Sequence, residues 1–142
     1  YPDADIPVVQ LSLNRLQSAE WHFNLAKKLS ALRKQGVLII GSGNIVHNLR
    51  AISWEHIDQI GAGYDWAFAF RETVNQAIAT RDDKTLVHYE QLGKKAELSV
   101  PTPDHYLPLL YIMALCEPQD EVTFFNDNLI AGSLSMTSVL VG

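Results

Sequence analysis

A helical pattern between two short apolar runs constrains this chain more than any other feature. Residues 6–13, IPVVQLSL, are short and Val-rich and read as a strand. Ser18 is placed as an N-cap, with Glu20 in the first turn. In AEWHFNLAKKLSALRKQ, Trp21, Leu25, Leu29 and Leu32 recur at three- and four-residue steps, the signature of one helix face. Gly36 is positioned to end that helix. VLIIG then begins with four apolar residues in a row, the pattern of a strand buried on both faces. Strand, helix, strand with tight joints is a βαβ unit, whose two strands run parallel.

The rest of the chain continues the α/β pattern. Residues 44–60 form a connecting stretch of weak helical character. YDWAFAFRETVNQAIATRD predicts a helix over 65–79, and a shorter one follows over 82–92, ended by Gly93. In SVPTPDHYLPLLYIMALC, Pro101 and Pro103 hold the approach to a further helix extended. Pro108 lacks an amide hydrogen, so the helix either begins there or has an irregular first turn. Residues 122–125 and 133–141 read as strands, with NDN as a turn signal after the first. No repeat, low-complexity tract or linker interrupts the layout, which is one α/β layer structure.

Composition narrows the functional classes. At 47% hydrophobic and 19% charged, the 142 residues can build a core. A net charge of −5 and no basic run argue against a nucleic-acid or anionic-membrane surface. No apolar stretch approaches the roughly 18 residues of a membrane span, and no signal peptide is visible. One cysteine, Cys116, cannot form an internal disulfide; it reads as a buried thiol and fits a reducing, cytoplasmic setting. The opening YPDADIPVVQ has no Met and runs almost at once into an apolar strand, as expected for the later part of a longer polypeptide.

Two histidines stand out. His47 follows Gly41-Ser42-Gly43 at the end of the second apolar run. The dinucleotide fingerprint fails here: Ile45-Val46 replaces the third glycine, and the lysine of a phosphate-binding loop is absent. The glycines instead suit a tight turn at a strand's carboxyl end, where open α/β sheets place ligands. A loop histidine by itself is more often a hydrogen-bonded residue than a catalytic one. His105 lies in VPTPDHYLP, where Thr102 could cap the turn that carries it. A helix start disfavours imidazolium, and a neutral imidazole is what a divalent metal needs. The other reading of His105, a ring packed beside Tyr106 under the helix, is equally open. His22 and His88 fall on or near polar helix faces, and His56 sits beside Glu55 and Asp58. None has a histidine at i+4, and all three read as structural. Trp54 and Trp66 read as core or pocket wall, and Phe68 to Phe70 as core. Ser42 is not in a G-x-S-x-G nucleophile elbow.

GSGNIVHNLR and PTPDHYLPLLY, with the closing SLSMTSVLVG, together resemble the class III extradiol ring-cleavage dioxygenases, in the DOPA 4,5-dioxygenase branch. The resemblance covers essentially the whole chain. It implies a three-layer α/β fold, a central and mostly parallel mixed sheet flanked by helices. Residues 1–142 would be the C-terminal part of a single catalytic domain. It implies that His47 is the acid/base histidine and can also contact the metal, and that His105 is a metal ligand. Two further metal-binding histidines would come from a missing N-terminal half of the same protein. The implied cofactor is a divalent metal, Fe(II) for turnover or Zn(II) as bound. The implied reaction opens the ring of a catechol such as DOPA with O2. Non-haem Fe(II) favours imidazole and carboxylate ligands with open positions. A neutral imidazole near the substrate could accept a phenolic proton and later return one. Mobility on a glycine-flanked turn would suit His47 to that duty. The alternative function is a non-catalytic metal-binding or signalling module of the same fold.

Overall fold

The computed structural model describes residues 2–142. Its helices are α1 (Ala19–Lys27), α2 (Ser30–Arg33), α3 (Asp65–Thr80), α4 (Asp83–Val87), α5 (Lys94–Ser99) and α6 (Leu107–Ala114). Short 3-10 turns at Leu49–Ala51, Trp54–His56, Tyr89–Leu92 and Pro103–His105 join them. Four short strands follow: β1 (Val122–Phe125), β2 (Leu129–Ile130), β3 (Leu134–Ser135) and β4 (Ser138–Val141). β1 pairs with β4 and β2 with β3, both antiparallel. The fold is thus α/β, with helices packed beside two small antiparallel sheets.

The core forms around α3. Ala67, Phe70, Val74, Ala77 and Ile78 recur at helical spacing and are all buried. Tyr106, Leu107 and Leu110 join them beneath the start of α6. Tyr106 is fully buried and donates its hydroxyl to the Leu86 carbonyl at 3.1 Å, which satisfies the one polar atom its ring carries inward. Its ring centroid lies 4.2 Å from that of Tyr89 and 6.2 Å from that of Phe70. The residue after His105 is therefore a fixed point of the fold.

The amino-terminal expectation needs correction. Residues 6–13 and 37–40 belong to no strand. Among the described residues there is no parallel sheet, only one isolated parallel bridge between Gly63 and Gly132. Val8 and Val9 are 90% and 92% exposed, and Leu38 and Ile40 are 76% and 78% exposed. A β-branched run becomes a strand only when a neighbouring backbone takes up its amide and carbonyl groups. Neither segment meets a neighbouring strand here; the Val37 amide donates instead to the nearby Leu32 carbonyl.

Other boundaries shift for local reasons. The single helix expected up to Gly36 breaks at Lys28 and Leu29 into α1 and α2, and Gly36 takes the positive φ of 77° expected at a helix end. Residues 82–92 divide into α4 and a 3-10 turn, and α5 follows directly after Gly93. The expected 133–141 strand is interrupted at Met136 and Thr137, and β2 is a further strand with no counterpart among the sequence expectations. Trp54 is 74% exposed, not core. Trp66 is partly buried and stacks on Tyr64 at 5.5 Å. Cys116 is only partly buried, although burial still raises its thiol pKa.

Two arginines hold the turn between α6 and β1. Arg33 reaches Asp120 through both terminal nitrogens, at 2.6 and 3.1 Å, and donates to the Leu115 carbonyl at 2.6 Å. Arg81, in left-handed geometry after α3, donates to the Glu117 and Asp120 carbonyls. Hydrogen bonding from Arg33 is the main cause that holds the Asp120 carboxyl below its ordinary 3.8. A depressed folded pKa gives stability that is present above the unfolded value and lost as pH falls through the folded one. Arg33→Met is therefore expected to raise the pH midpoint of acid unfolding, followed by circular dichroism. An unchanged midpoint would mean the pair adds nothing to acid resistance.

Candidate functional site

His47 and His105 meet because residues 41–48 are threaded between two other parts of the chain. On one side the Asn44 amide donates to the His105 carbonyl at 2.9 Å, and the His47 amide to the Ser99 carbonyl at 2.9 Å. On the other side the Asn48 amide donates to Ser133 and the Ser135 amide to Val46, around a bridge between His47 and Leu134. Both flanking asparagines use their side chains as braces. Asn44 donates to the Ser135 carbonyl at 2.7 Å, and Asn48 to the Leu98 carbonyl at 2.7 Å.

The two glycines of GSG serve close approach. Neither has a positive φ, so the expected tight turn is not their role. A Cβ on Gly43 would stand 2.1 Å from the His105 carbonyl oxygen. A Cβ on Gly41 would stand 2.8 Å from the Pro108 oxygen and 3.0 Å from Ile112. Only a residue without a side chain lets this segment lie against the start of α6.

The resulting geometry is compact. The ring centroids of His47 and His105 are 4.9 Å apart, at an interplanar angle of 31°. His47 is 5% exposed and pinned at both backbone and ring, so it is not the mobile group its glycine-flanked position suggests. Its Nε2 lies 2.9 Å from the Thr102 carbonyl, an acceptor, so this nitrogen carries the proton. Its buried Nδ1 has no hydrogen-bond partner among the described residues. Burial is the largest cause lowering its pKa; the Thr102 carbonyl opposes this, the neighbouring His105 adds to it, and the Asn44 backbone and Asp104 oppose it more weakly. His47 is accordingly neutral at neutral pH.

His105 is half-exposed, and its Nδ1 lies 2.8 Å from Oδ2 of Asp104. It does not pack under the helix; Tyr106 fills that place. The Asp104 carboxyl is held below its ordinary value mainly by a hydrogen bond from Thr102, with smaller help from both imidazoles. Thr102 makes no side-chain cap to the turn. Its backbone carbonyl, which residue type does not reveal, is what engages the site.

The remaining histidines lie elsewhere. His22 is fully buried, not on a polar face, and satisfied by the Tyr111 hydroxyl at 2.8 Å and the Asn14 carbonyl at 3.0 Å. His56 is exposed beside Ser53, and His88 ends α4. Among the described residues no group of three or more His, Cys, Asp or Glu side chains gathers into a possible metal site. The donors on this chain are the two imidazoles, and their chemistry fits a divalent metal. His47 has one nitrogen bonded to a backbone carbonyl and His105 has one beside a carboxylate, which resembles the usual setting of metal-binding histidines. Two donors are fewer than such an ion takes from a protein.

No family model matches the chain. The chain is 43% identical over 145 residues to an Escherichia coli K12 protein named 4,5-DOPA dioxygenase extradiol, with all of this chain and 52% of that protein covered. It is 30% identical over 138 residues to a Beta vulgaris protein of the same name, with 97% and 50% covered. The crystal structure of uncharacterized protein JW3007 from Escherichia coli K12 superposes with a TM-score of 0.86 at 42% identity, over 98% of this chain and 57% of that one. By sequence the chain is homologous to half of each of these two proteins named 4,5-DOPA dioxygenase extradiol, consistent with the C-terminal half of that family. It spans about half the length of the curated relatives it matches. No helix among the described residues is long and apolar enough to cross a membrane.

Proposed function

We propose that this chain is the C-terminal part of a catalytic domain that opens the ring of catechol-type substrates, DOPA among them, by extradiol cleavage with O2. The supporting observation is the pairing of His47 with His105 at 4.9 Å across 58 residues of chain, each ring with a different free nitrogen. His105 is a ligand of a divalent metal through Nε2. His47 is the acid/base group, with its unpartnered Nδ1 as the proton acceptor. The metal, Fe(II) for turnover and Zn(II) as a redox-inert occupant, supplies Lewis acidity and, as iron, access to O2 chemistry. A neutral imidazole can take a phenolic proton and give one back.

The remaining ligands come, in this reading, from the other half of the longer protein. That half would also cover the segments at 6–13 and 37–40, whose bare valines and leucines would become strands of a central, mostly parallel sheet. The test is to express the full-length protein and supply Fe(II), O2 and a catechol. A yellow, ring-opened product that requires oxygen supports the reading. Oxygen-independent hydrolysis, or metal binding with no product, would overturn it.

A further inference from the structure

We propose that residues 102–104 form a single orienting clamp that sets opposite tautomers on the two imidazoles. The Thr102 carbonyl takes the Nε2–H of His47. Oδ2 of Asp104 stands 2.8 Å from Nδ1 of His105, a charge contact that favours the proton on that nitrogen, so the lone pairs offered are Nδ1 of His47 and Nε2 of His105. Asp104 is thus a positioning residue for His105.

The arrangement follows from a stiff local backbone. Pro101 and Pro103 flank Thr102, which lies extended at φ −142° and ψ 145°. Proline fixes its own φ and restricts the residue before it, so Thr102 has little freedom to turn its carbonyl away. Pro103 also starts the 3-10 turn that carries Asp104 and His105. One three-residue segment therefore presents a carbonyl to a buried ring and a carboxylate to an exposed one. The two rings differ in their need of it. His47 is shut away from water, and its Nε2–H has the Thr102 carbonyl as its partner. His105 is half in water, and an exposed histidine favours the Nε2–H form, which would block the nitrogen a ligand must offer. Asp104 opposes that preference by holding the proton on Nδ1. Acceptors of this kind also raise the basicity of the free nitrogen.

The ligand role of His105 rests on the proposed function; the tautomer assignment does not. Long-range 15N–1H spectra of the histidines in metal-free full-length protein test the tautomers, and competition between the protein and a chelator for Zn(II) tests the consequence. In the unaltered protein His105 is expected as Nδ1–H and His47 as Nε2–H. Asp104→Ala is expected to move His105 toward Nε2–H, to leave His47 unchanged, and to weaken Zn(II) binding by about 10- to 100-fold. Asp104→Glu is expected to restore part of both. If alanine prevents folding, Asp104→Asn, of equal volume, is expected to show smaller changes in the same direction. A folded Asp104→Ala or Asp104→Asn protein with His105 still Nδ1–H and unaltered Zn(II) affinity would overturn the clamp. A changed tautomer in a protein whose zinc affinity never depends on His105 would leave the clamp standing and remove the metal reading.

Discussion

Replacing His47 by alanine in the full-length protein is expected to cut ring opening of a catechol by about 10²- to 10⁴-fold, the usual contribution of a positioned acid/base group, with most of the metal retained. The expectation follows from what the ring does here. It is held through Nε2 by a backbone carbonyl, and its other nitrogen is buried without a partner. A buried polar atom without a partner is rare in a folded protein, so this nitrogen points to a functional use. His105→Ala should behave differently, with the metal lost first and turnover lost as a result. Metal content by atomic emission, measured beside oxygen uptake, separates the two variants. Equal metal loss in both would make His47 a ligand foremost. Full metal retention in His105→Ala would remove it from the ligand set.

Gly43→Ala should be about as damaging although it removes no functional group. The added Cβ would stand 2.1 Å from the His105 carbonyl oxygen, well inside contact distance and against backbone, not a flexible side chain. The segment carrying His47 must move away from the one carrying His105, and the Asn44–His105 hydrogen bond must lengthen or break. Overpacking of this kind costs about 1–3 kcal/mol, sometimes more. A displacement of about 1 Å between reacting groups can cost about 10²-fold in rate. Gly41→Ala should be milder in both respects, because its Cβ meets the Pro108 oxygen at 2.8 Å and a side-chain carbon at 3.0 Å. Urea melts and turnover measured on the same preparations check this. Equal stability and rate for Gly43→Ala would show that the two segments are not in close register.

Part of the fold and of the candidate site was legible in the sequence, and most of the illegible parts share a cause. Periodicity located α3, and the proline pair located the approach to His105, because both are consequences of local chain stiffness and side-chain spacing. The failures depend on partners. Residues 6–13 and 37–40 have the composition of strands, yet strand formation is decided by a neighbouring backbone that composition does not specify. The glycines of GSG were read as turn formers, but their work is to admit a carbonyl from a segment about sixty residues away. The part played by Thr102 was hidden for a plainer reason: a backbone carbonyl is the same for every residue type. His22 looked polar by position; its burial depends on Tyr111, which lies on another helix.

The backbone contact between Gly43–Asn44 and His105 has one more consequence. Main-chain atoms fix how far apart the two backbones that carry the imidazoles stand. A different donor at position 105, such as a carboxylate, would arrive at nearly the same place without rebuilding its surroundings. The fold thus supplies a backbone socket in which the side chain at position 105 can be exchanged, and under the proposed function a single codon there would retune the preference for one metal over another.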